Sequence, residues 1–176
     1  MSKLTLTQRR VLLLLHLVFA SIMLGGQATF IILALTASAT DSADTLRTCY
    51  AVMRLLADSS VRASTIGTTV TGILLSVLTS WGLFRYYWLI AKEILTLVTI
   101  GIGFVGLYEW TLRGVRLSEA PVANAWAEPG FTVNHAWLWI GILLQTISLL
   151  LMFILSVWKP GGRTKMSARG KAVTGR

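Results

Sequence analysis

The chain has 176 residues, of which 55% are hydrophobic and 13% charged, and its mean hydropathy is +0.70. A soluble domain of this length cannot bury so much apolar surface, so the composition excludes an ordinary soluble globular protein. The formal net charge of +9 would suggest nucleic-acid binding in a soluble protein, but here the basic residues flank apolar segments. We therefore predict a membrane protein that does not bind nucleic acid.

Four apolar segments each reach or exceed the length of about 20 residues that a helix needs to cross a bilayer. They cover approximately residues 11–37, 63–84, 87–108 and 136–158. The remaining connections are short, so we predict a single domain over residues 1–160 and no second domain. We predict an all-α fold, an integral membrane four-helix bundle, followed by a basic disordered tail over residues 161–176.

The charged residues predict the orientation of this bundle. Lysine and arginine dominate before the first segment, between the second and third, and after the fourth. The other two connections hold six of the seven acidic residues, namely Asp41, Asp44, Asp58, Glu109, Glu119 and Glu128. By the positive-inside rule, the N- and C-termini are both cytoplasmic, in a multi-pass protein of the cell membrane. The basic tail is expected to bind anionic lipid, at about 1 kcal/mol per residue.

The two outer connections are expected to differ in structure. In the first, residues 38–62, apolar positions recur at helical spacing and Arg54 and Asp58 form an i,i+4 pair, which predicts a short amphipathic helix or an extension of the second span. Cys49, the single cysteine, excludes an internal disulfide and is expected in this outer loop. The second outer connection, residues 111–134, contains Pro121 and Pro129 and is expected to be irregular.

Gly101 to Gly106 match the pattern G-x-G-x-x-G of dinucleotide-binding proteins. That fingerprint requires a preceding strand and a βαβ unit, whereas these residues lie inside a predicted membrane helix. We interpret the glycines as positions of close helix packing.

His16 and Lys92 are ionisable residues inside the first and third segments, where a charge is costly and therefore indicates function. From the rise of an α-helix, His16 and Lys92 each lie about 8 Å, and Met152 about 9 Å, inside the cytoplasmic ends of their segments. Three helices are thus predicted to place three side chains that could bind a cofactor at the same depth in the bundle. His135 begins the fourth segment at the outer face, about 20 Å away, and cannot share a site with His16.

Each of these residues has more than one interpretation. His16 is either a core histidine bonded to a hydroxyl group or an axial ligand of haem iron. Lys92 extends to the membrane surface, pairs with Glu93, or offers its ammonium group to a buried anion such as a propionate. Met152 is a candidate for the second axial position. We take His16, Lys92 and Met152 as candidate cofactor-binding residues, with His16 as the metal ligand.

Two stretches carry a family resemblance. In Leu15–Gly26, His16 is followed ten residues later by Gly26; further on, Gly72-Ile73-Leu74-Leu75 is followed by Trp88-Leu89-Ile90-Ala91-Lys92. These stretches resemble the HemJ/CopD-like group of small bacterial membrane proteins, with its first-helix histidine, its second-helix glycine and its Trp-x-x-x-Lys at the start of the third helix. The resemblance implies a helical bundle in the bacterial cytoplasmic membrane.

For the HemJ branch, the resemblance implies haem b binding and oxidation of protoporphyrinogen, with roles that carry over only to His16 and Lys92. The chain departs from that branch at Gln27-Ala28-Thr29-Phe30, where HemJ proteins have a Tyr-x-Pro-Arg-like stretch. The CopD branch implies copper uptake, but this chain has no Met-x-Met motif or histidine cluster. The leading hypothesis is a redox-active protein that binds haem b or a porphyrin in the cytoplasmic half of the bundle. A HemJ-type oxidase, a copper-transport protein and a bundle without cofactor stay open as functions, as do enzymatic activity and homo-oligomer formation.

Overall fold

The computed structural model describes residues 4–79, 84–119, 122–162 and 164. Over these residues the secondary structure is helical, and four helices are long and apolar enough to cross a membrane. The helices are α1 (Leu6–Ala39), α2 (Ala43–Leu78), α3 (Tyr87–Leu117), the short α4 (Val122–Ala127) and α5 (Pro129–Trp158). This confirms the predicted all-α fold with four membrane-length helices, while the orientation of the termini stays a prediction.

Helix α2 begins well before the predicted second span. Ser42 caps it, because its side chain accepts a hydrogen bond from the backbone N–H of Thr45. The helix then continues through a π-helical turn, Ala57–Val61, into the apolar segment. Of the two structures predicted for residues 38–62, the extension of the second span is therefore confirmed, and Cys49 lies buried inside the helix rather than in a loop.

The connection over residues 111–134 is mostly helical, so the prediction of an irregular loop was wrong. Helix α3 continues to Leu117, and α4 and α5 occupy most of the rest. Pro129 does not interrupt α5, because it stands at the first position of the helix, where a proline lacks no intrahelical hydrogen bond. A second π-helical turn, Ile102–Leu107, lies in the middle of α3.

The glycines of the G-x-G-x-x-G pattern lie at this second π turn and allow close packing. A Cβ atom at Gly106 would collide with the indole ring of Trp110, and so would one at Gly141 of α5. Gly103 faces the side-chain amide of Gln145 on α5. Trp110 thus fills the space between Gly106 and Gly141, so helix packing accounts for Gly103 and Gly106, whereas the space at Gly101 is open.

We call the end of the bundle where α1 begins and α5 ends the terminus end, and the opposite end the far end. Helices α1 and α2 are antiparallel, with Met23 beside Thr65 and Gly26 beside Val61. The main cluster of buried apolar side chains lies towards the far end and includes Phe30, Ala34, Leu46, Tyr50, Met53, Phe131 and Leu138. The terminus half instead exposes many large apolar side chains on its outer faces, among them Leu14, Ile73, Ile94, Leu97 and Leu150.

This distribution indicates where the membrane lies. Aromatic side chains at the terminus end, Tyr87 and Trp158, are exposed as expected at a membrane surface. About 20 residues further along the same helices, a distance of about 30 Å, the chain reaches Tyr108 and Leu138. We therefore expect the far-end core to extend beyond the hydrocarbon layer of a membrane into water, where the hydrophobic effect favours burial. Inside such a layer, apolar side chains are expected to face lipid and the helices to meet through small and polar residues.

The chain after α5 turns back against the connection between α2 and α3. Lys159 and Gly161 adopt positive φ angles of 46° and 83°. The buried Thr164 donates from its hydroxyl group to the carbonyl oxygen of Phe84 at 2.7 Å and from its N–H to that of Arg85 at 3.0 Å. Residues 165–176 of the predicted disordered tail lie outside the described residues.

Candidate functional site

His16 on α1 lies directly against α2. Its Nδ1 atom is 2.9 Å from Oγ1 of Thr71. The Thr71 hydroxyl donates its single proton to the backbone, at 2.6 Å from the carbonyl oxygen of Gly67 and 3.2 Å from that of Thr68. Thr71 must therefore accept from His16, which places the proton of the neutral imidazole on Nδ1. The Nε2 atom then keeps its lone pair.

Two glycines of α2 allow this close approach of α1. A Cβ atom at Gly72 would lie 3.3 Å from Cε1 of His16, which is tighter than ordinary van der Waals contact. One turn away, the ring of Phe19 occupies the space that a side chain at Gly67 would need. The glycines thus let a buried threonine hydroxyl reach an imidazole on the neighbouring helix.

Lys92 on α3 is held by α5. Its Nζ atom donates to Oγ of Ser156 at 2.7 Å, while the Ser156 hydroxyl donates to the backbone carbonyl of Met152 at 2.8 Å. Among the described residues Lys92 forms no ion pair, so the predicted pairing with Glu93 is not realised.

Met152 lies at the same level but contacts a different neighbour. Its Sδ atom is 3.5 Å from Oγ1 of Thr96, one turn beyond Lys92 on α3. No hydrogen bond within the described part of the chain joins Met152 to His16. The structure thus links Lys92 and Met152 to the interface of α3 and α5, and His16 to α2, with no hydrogen bond between His16 and Lys92 among the described residues.

An open apolar groove of about 360 Å³ lies between α1 and α2 at the terminus end. Leu12 and Leu15 line one wall of the groove and Leu74 and Leu78 of α2 line the other. Towards the terminus end it is bordered by the polar residues Thr7 and Gln8. Along α1 the groove ends at Leu15, the residue before His16, and the imidazole does not line it.

His135 lies in the far-end core with a separate set of partners. The Tyr50 hydroxyl lies 2.6 Å from Nδ1, and Oγ of Ser38 lies 2.9 Å from Nε2. Ser38 donates its own proton to the carbonyl of Ala34, so its oxygen accepts within this network. The indole N–H of Trp139 lies 3.1 Å from Nε2 of His135 and 3.3 Å from the serine oxygen, which completes the network. These partners confirm that His135 and His16 belong to different sites.

Three features of these sites escape the sequence. Thr71 and Ser156, which contact His16 and Lys92, are hydroxyl residues inside apolar segments and match no sequence motif. The network of His135 joins positions 38, 50 and 139, which no local pattern connects. Hydrophobic periodicity also cannot predict that the side-chain oxygen of Gln145, in the middle of the bundle, is buried without a hydrogen-bond partner.

The described residues contain no group of three or more His, Cys, Asp or Glu side chains placed to hold a metal ion. Comparisons with protein-family models, with curated proteins and with solved structures found no significant match to this chain. The four long apolar helices are compatible with an integral membrane protein. The resemblance to the HemJ/CopD-like group therefore depends on its short motifs alone.

Proposed function

We propose that this chain is a multi-pass membrane protein that binds haem b, or a related porphyrin with carboxylate groups, in the half of the bundle next to the termini. The supporting observation is the hydrogen bond from His16 to Thr71. A histidine that ligates a metal usually donates its other ring N–H to a neighbouring oxygen, and this bond leaves Nε2 available. The positive-inside rule assigns this half to the cytoplasmic leaflet.

The residues present fit such a group. His16 offers a neutral imidazole nitrogen, and the groove that ends at Leu15 offers leucine walls for a flat apolar ring. Lys92 offers ammonium hydrogens beyond the one that Ser156 accepts, and a propionate is an anion that these can bind. Bound haem would supply an iron that exchanges one electron at a time.

Each residue has a defined part in this proposal. Thr71 orients the imidazole of His16, and Ser156 positions the ammonium group of Lys92. The leucines of the groove exclude water from the bound ring. Met152, the predicted second axial ligand, is the weakest member, because its sulfur is directed to Thr96.

A bundle without cofactor is the competing function, and one observation favours it. His16, Lys92 and Met152 each have a protein partner in the structure, so the cluster can serve helix association alone. A HemJ-type oxidase and a copper-transport protein gain no support from the described residues. The oxidase would need a substrate site in addition to the haem site.

The visible spectrum of the detergent-purified protein separates the two main candidates. The proposal predicts a Soret band in protein purified from cells supplied with haem. A helical, monodisperse protein that shows no Soret band, either as purified or after addition of haemin, would leave the polar cluster a purely structural role.

A further inference from the structure

A second polar cluster lies on α2, far from His16. The carboxylate of Asp58 forms ion pairs with Arg54 at 3.3 Å and with Arg62 at 2.9 Å. The guanidinium group of Arg54 lies 3.6 Å from the centre of the Tyr108 ring, and that of Arg62 lies 5.1 Å from the same centre. Two arginines thus surround one carboxylate and one aromatic ring where α2 meets α3.

The depth of this cluster follows from the length of α3. From the exposed Tyr87 to Tyr108, α3 rises by about 30 Å, which is the thickness of the hydrocarbon layer. Tyr108 therefore lies at the far-end membrane boundary, and the arginines that contact its ring lie there too. This is the depth at which phospholipid headgroups surround a membrane protein.

The charges of the cluster do not balance. Arg54 and Arg62 carry two positive charges and Asp58 one negative charge, so the cluster has a net charge of +1 at neutral pH. No other ion pair involves these arginines within the described residues. Arg54 uses its second terminal nitrogen on the backbone carbonyl of Tyr108 at 3.4 Å.

Arg62 has unused hydrogen-bond donors on an accessible side chain. Its Nη1 atom binds Asp58, while Nη2 and Nε form no hydrogen bond in the part of the chain that the structure describes. The side chain is 38% exposed, and it lies beside Phe104 at the second π turn. A planar guanidinium group with two unused N–H directions is suited to bind two oxygens of a phosphate group.

We propose that Arg54 and Arg62 bind the phosphate group of a phospholipid at the far-end membrane boundary, in competition with the Asp58 carboxylate that lies between them. Tyr108 supports the site by stacking against Arg54. The lipid chains would lie along the outer surface of α2 and α3 on the terminus side of the cluster, where Ile66 and Val105 are exposed. The site is separate from His16 and does not depend on the proposed porphyrin binding.

Native mass spectrometry of the purified full chain tests this site. The probes are a short-chain phosphatidylglycerol and the diacylglycerol with the same chains, which lacks the phosphate. We expect the wild type to retain the phosphatidylglycerol and not the diacylglycerol, and Arg62→Gln to retain about tenfold less, the effect of losing one charge-assisted hydrogen-bond pair. The control variant is Arg113→Gln, which lies at the far end on α3 but outside the cluster, and it should retain the lipid as the wild type does.

Asp58→Asn separates lipid binding from a purely structural ion-pair network. Removing the competing carboxylate frees both arginines, so the proposal predicts equal or greater lipid retention despite a lower melting temperature. Equal retention in the wild type and Arg62→Gln, or loss of retention in folded Asp58→Asn, would overturn the proposal. If millimolar inorganic phosphate displaces the phosphatidylglycerol and binds equally well, the cluster is a site for free phosphate. That result would overturn the proposal that the phosphate belongs to a lipid. If Arg62→Gln fails to fold, Arg62→Lys replaces it as the test variant. It keeps the charge but not the planar guanidinium group, so we expect a loss of lipid retention of less than tenfold.

Discussion

The Nδ1 atom of His16 lies 2.9 Å from Oγ1 of Thr71, and the threonine can only accept in this contact because its proton is already donated to its own helix. This relationship sets the chemistry available at His16. A donor at Nδ1 and a lone pair at Nε2 define a ring that is oriented by one helix and open to a ligand on its other side.

Thr71→Val should weaken haem binding while preserving the bundle. Valine has nearly the same shape but cannot accept the imidazole proton, so the orientation of His16 is lost. Removal of such an orienting partner typically lowers metal affinity by about 10- to 100-fold. Titration of haemin into the solubilised variant measures this loss, and Thr71→Ser should restore most of the affinity. Equal affinity in wild type and Thr71→Val would argue against metal ligation through Nε2.

Lys92→Met should reduce the affinity for haem by about tenfold, because one charge-assisted hydrogen bond to a propionate is removed. Lys92→Arg is not expected to restore binding, since a planar guanidinium group cannot replace the compact ammonium group that donates to Ser156. The control is the dimethyl ester of haem, which lacks the carboxylates. The wild type and Lys92→Met should bind this ester equally well; a tenfold difference with the ester as well would assign Lys92 a structural role.

Tyr50→Phe should lower the free energy of unfolding by about 1–3 kcal/mol, because it leaves Nδ1 of the buried His135 without its hydrogen-bond partner. Gly114→Ala should also destabilise the far-end core, since its added Cβ atom would overlap the Tyr50 ring. Thermal unfolding followed by circular dichroism measures both effects. Neither variant should change a haem spectrum, because both positions lie at the opposite end of the bundle from His16.

The orientation of the bundle can be tested with introduced cysteines. Cys49 is buried, so it is unsuitable for labelling and is first replaced by alanine. In that background we expect Asp41→Cys, in the exposed connection between α1 and α2, to react with an impermeant thiol reagent in intact cells. Gly162→Cys, at the terminus end, should react only after the membrane is opened. The reverse pattern would place the termini outside.

The sequence predicts the four helices well because long apolar runs carry their own signal. The amphipathic start of α2 and the helical residues around Pro129 are harder to predict, because their helicity depends on packing in the far-end core. The rise per residue of an α-helix predicts that His16, Lys92 and Met152 lie at one level. It cannot show that His16 bonds to Thr71 while Lys92 bonds to Ser156, since that depends on the rotation of each helix about its axis.

The cluster of Arg54, Asp58 and Arg62 shows the same limit. The i,i+4 spacing of Arg54 and Asp58 predicts their ion pair, and the structure confirms it at 3.3 Å. The contact with Tyr108 requires the antiparallel register of α2 and α3, which has no local signal. The sequence places Asp58 in the first outer connection, and the structure places it in the π-helical turn Ala57–Val61 of α2, which has no local signal either.

The most direct test of the proposed function is a titration of haemin into the solubilised wild type, His16→Ala and His135→Ala, followed by the Soret band. For the wild type we expect a shifted Soret band that saturates at one haem per chain. We expect a lost or strongly altered band in His16→Ala, and a band close to that of the wild type in His135→Ala at a temperature where this variant is folded. Equal spectra in all three proteins, or equal loss in both variants while each remains folded, would contradict ligation by His16.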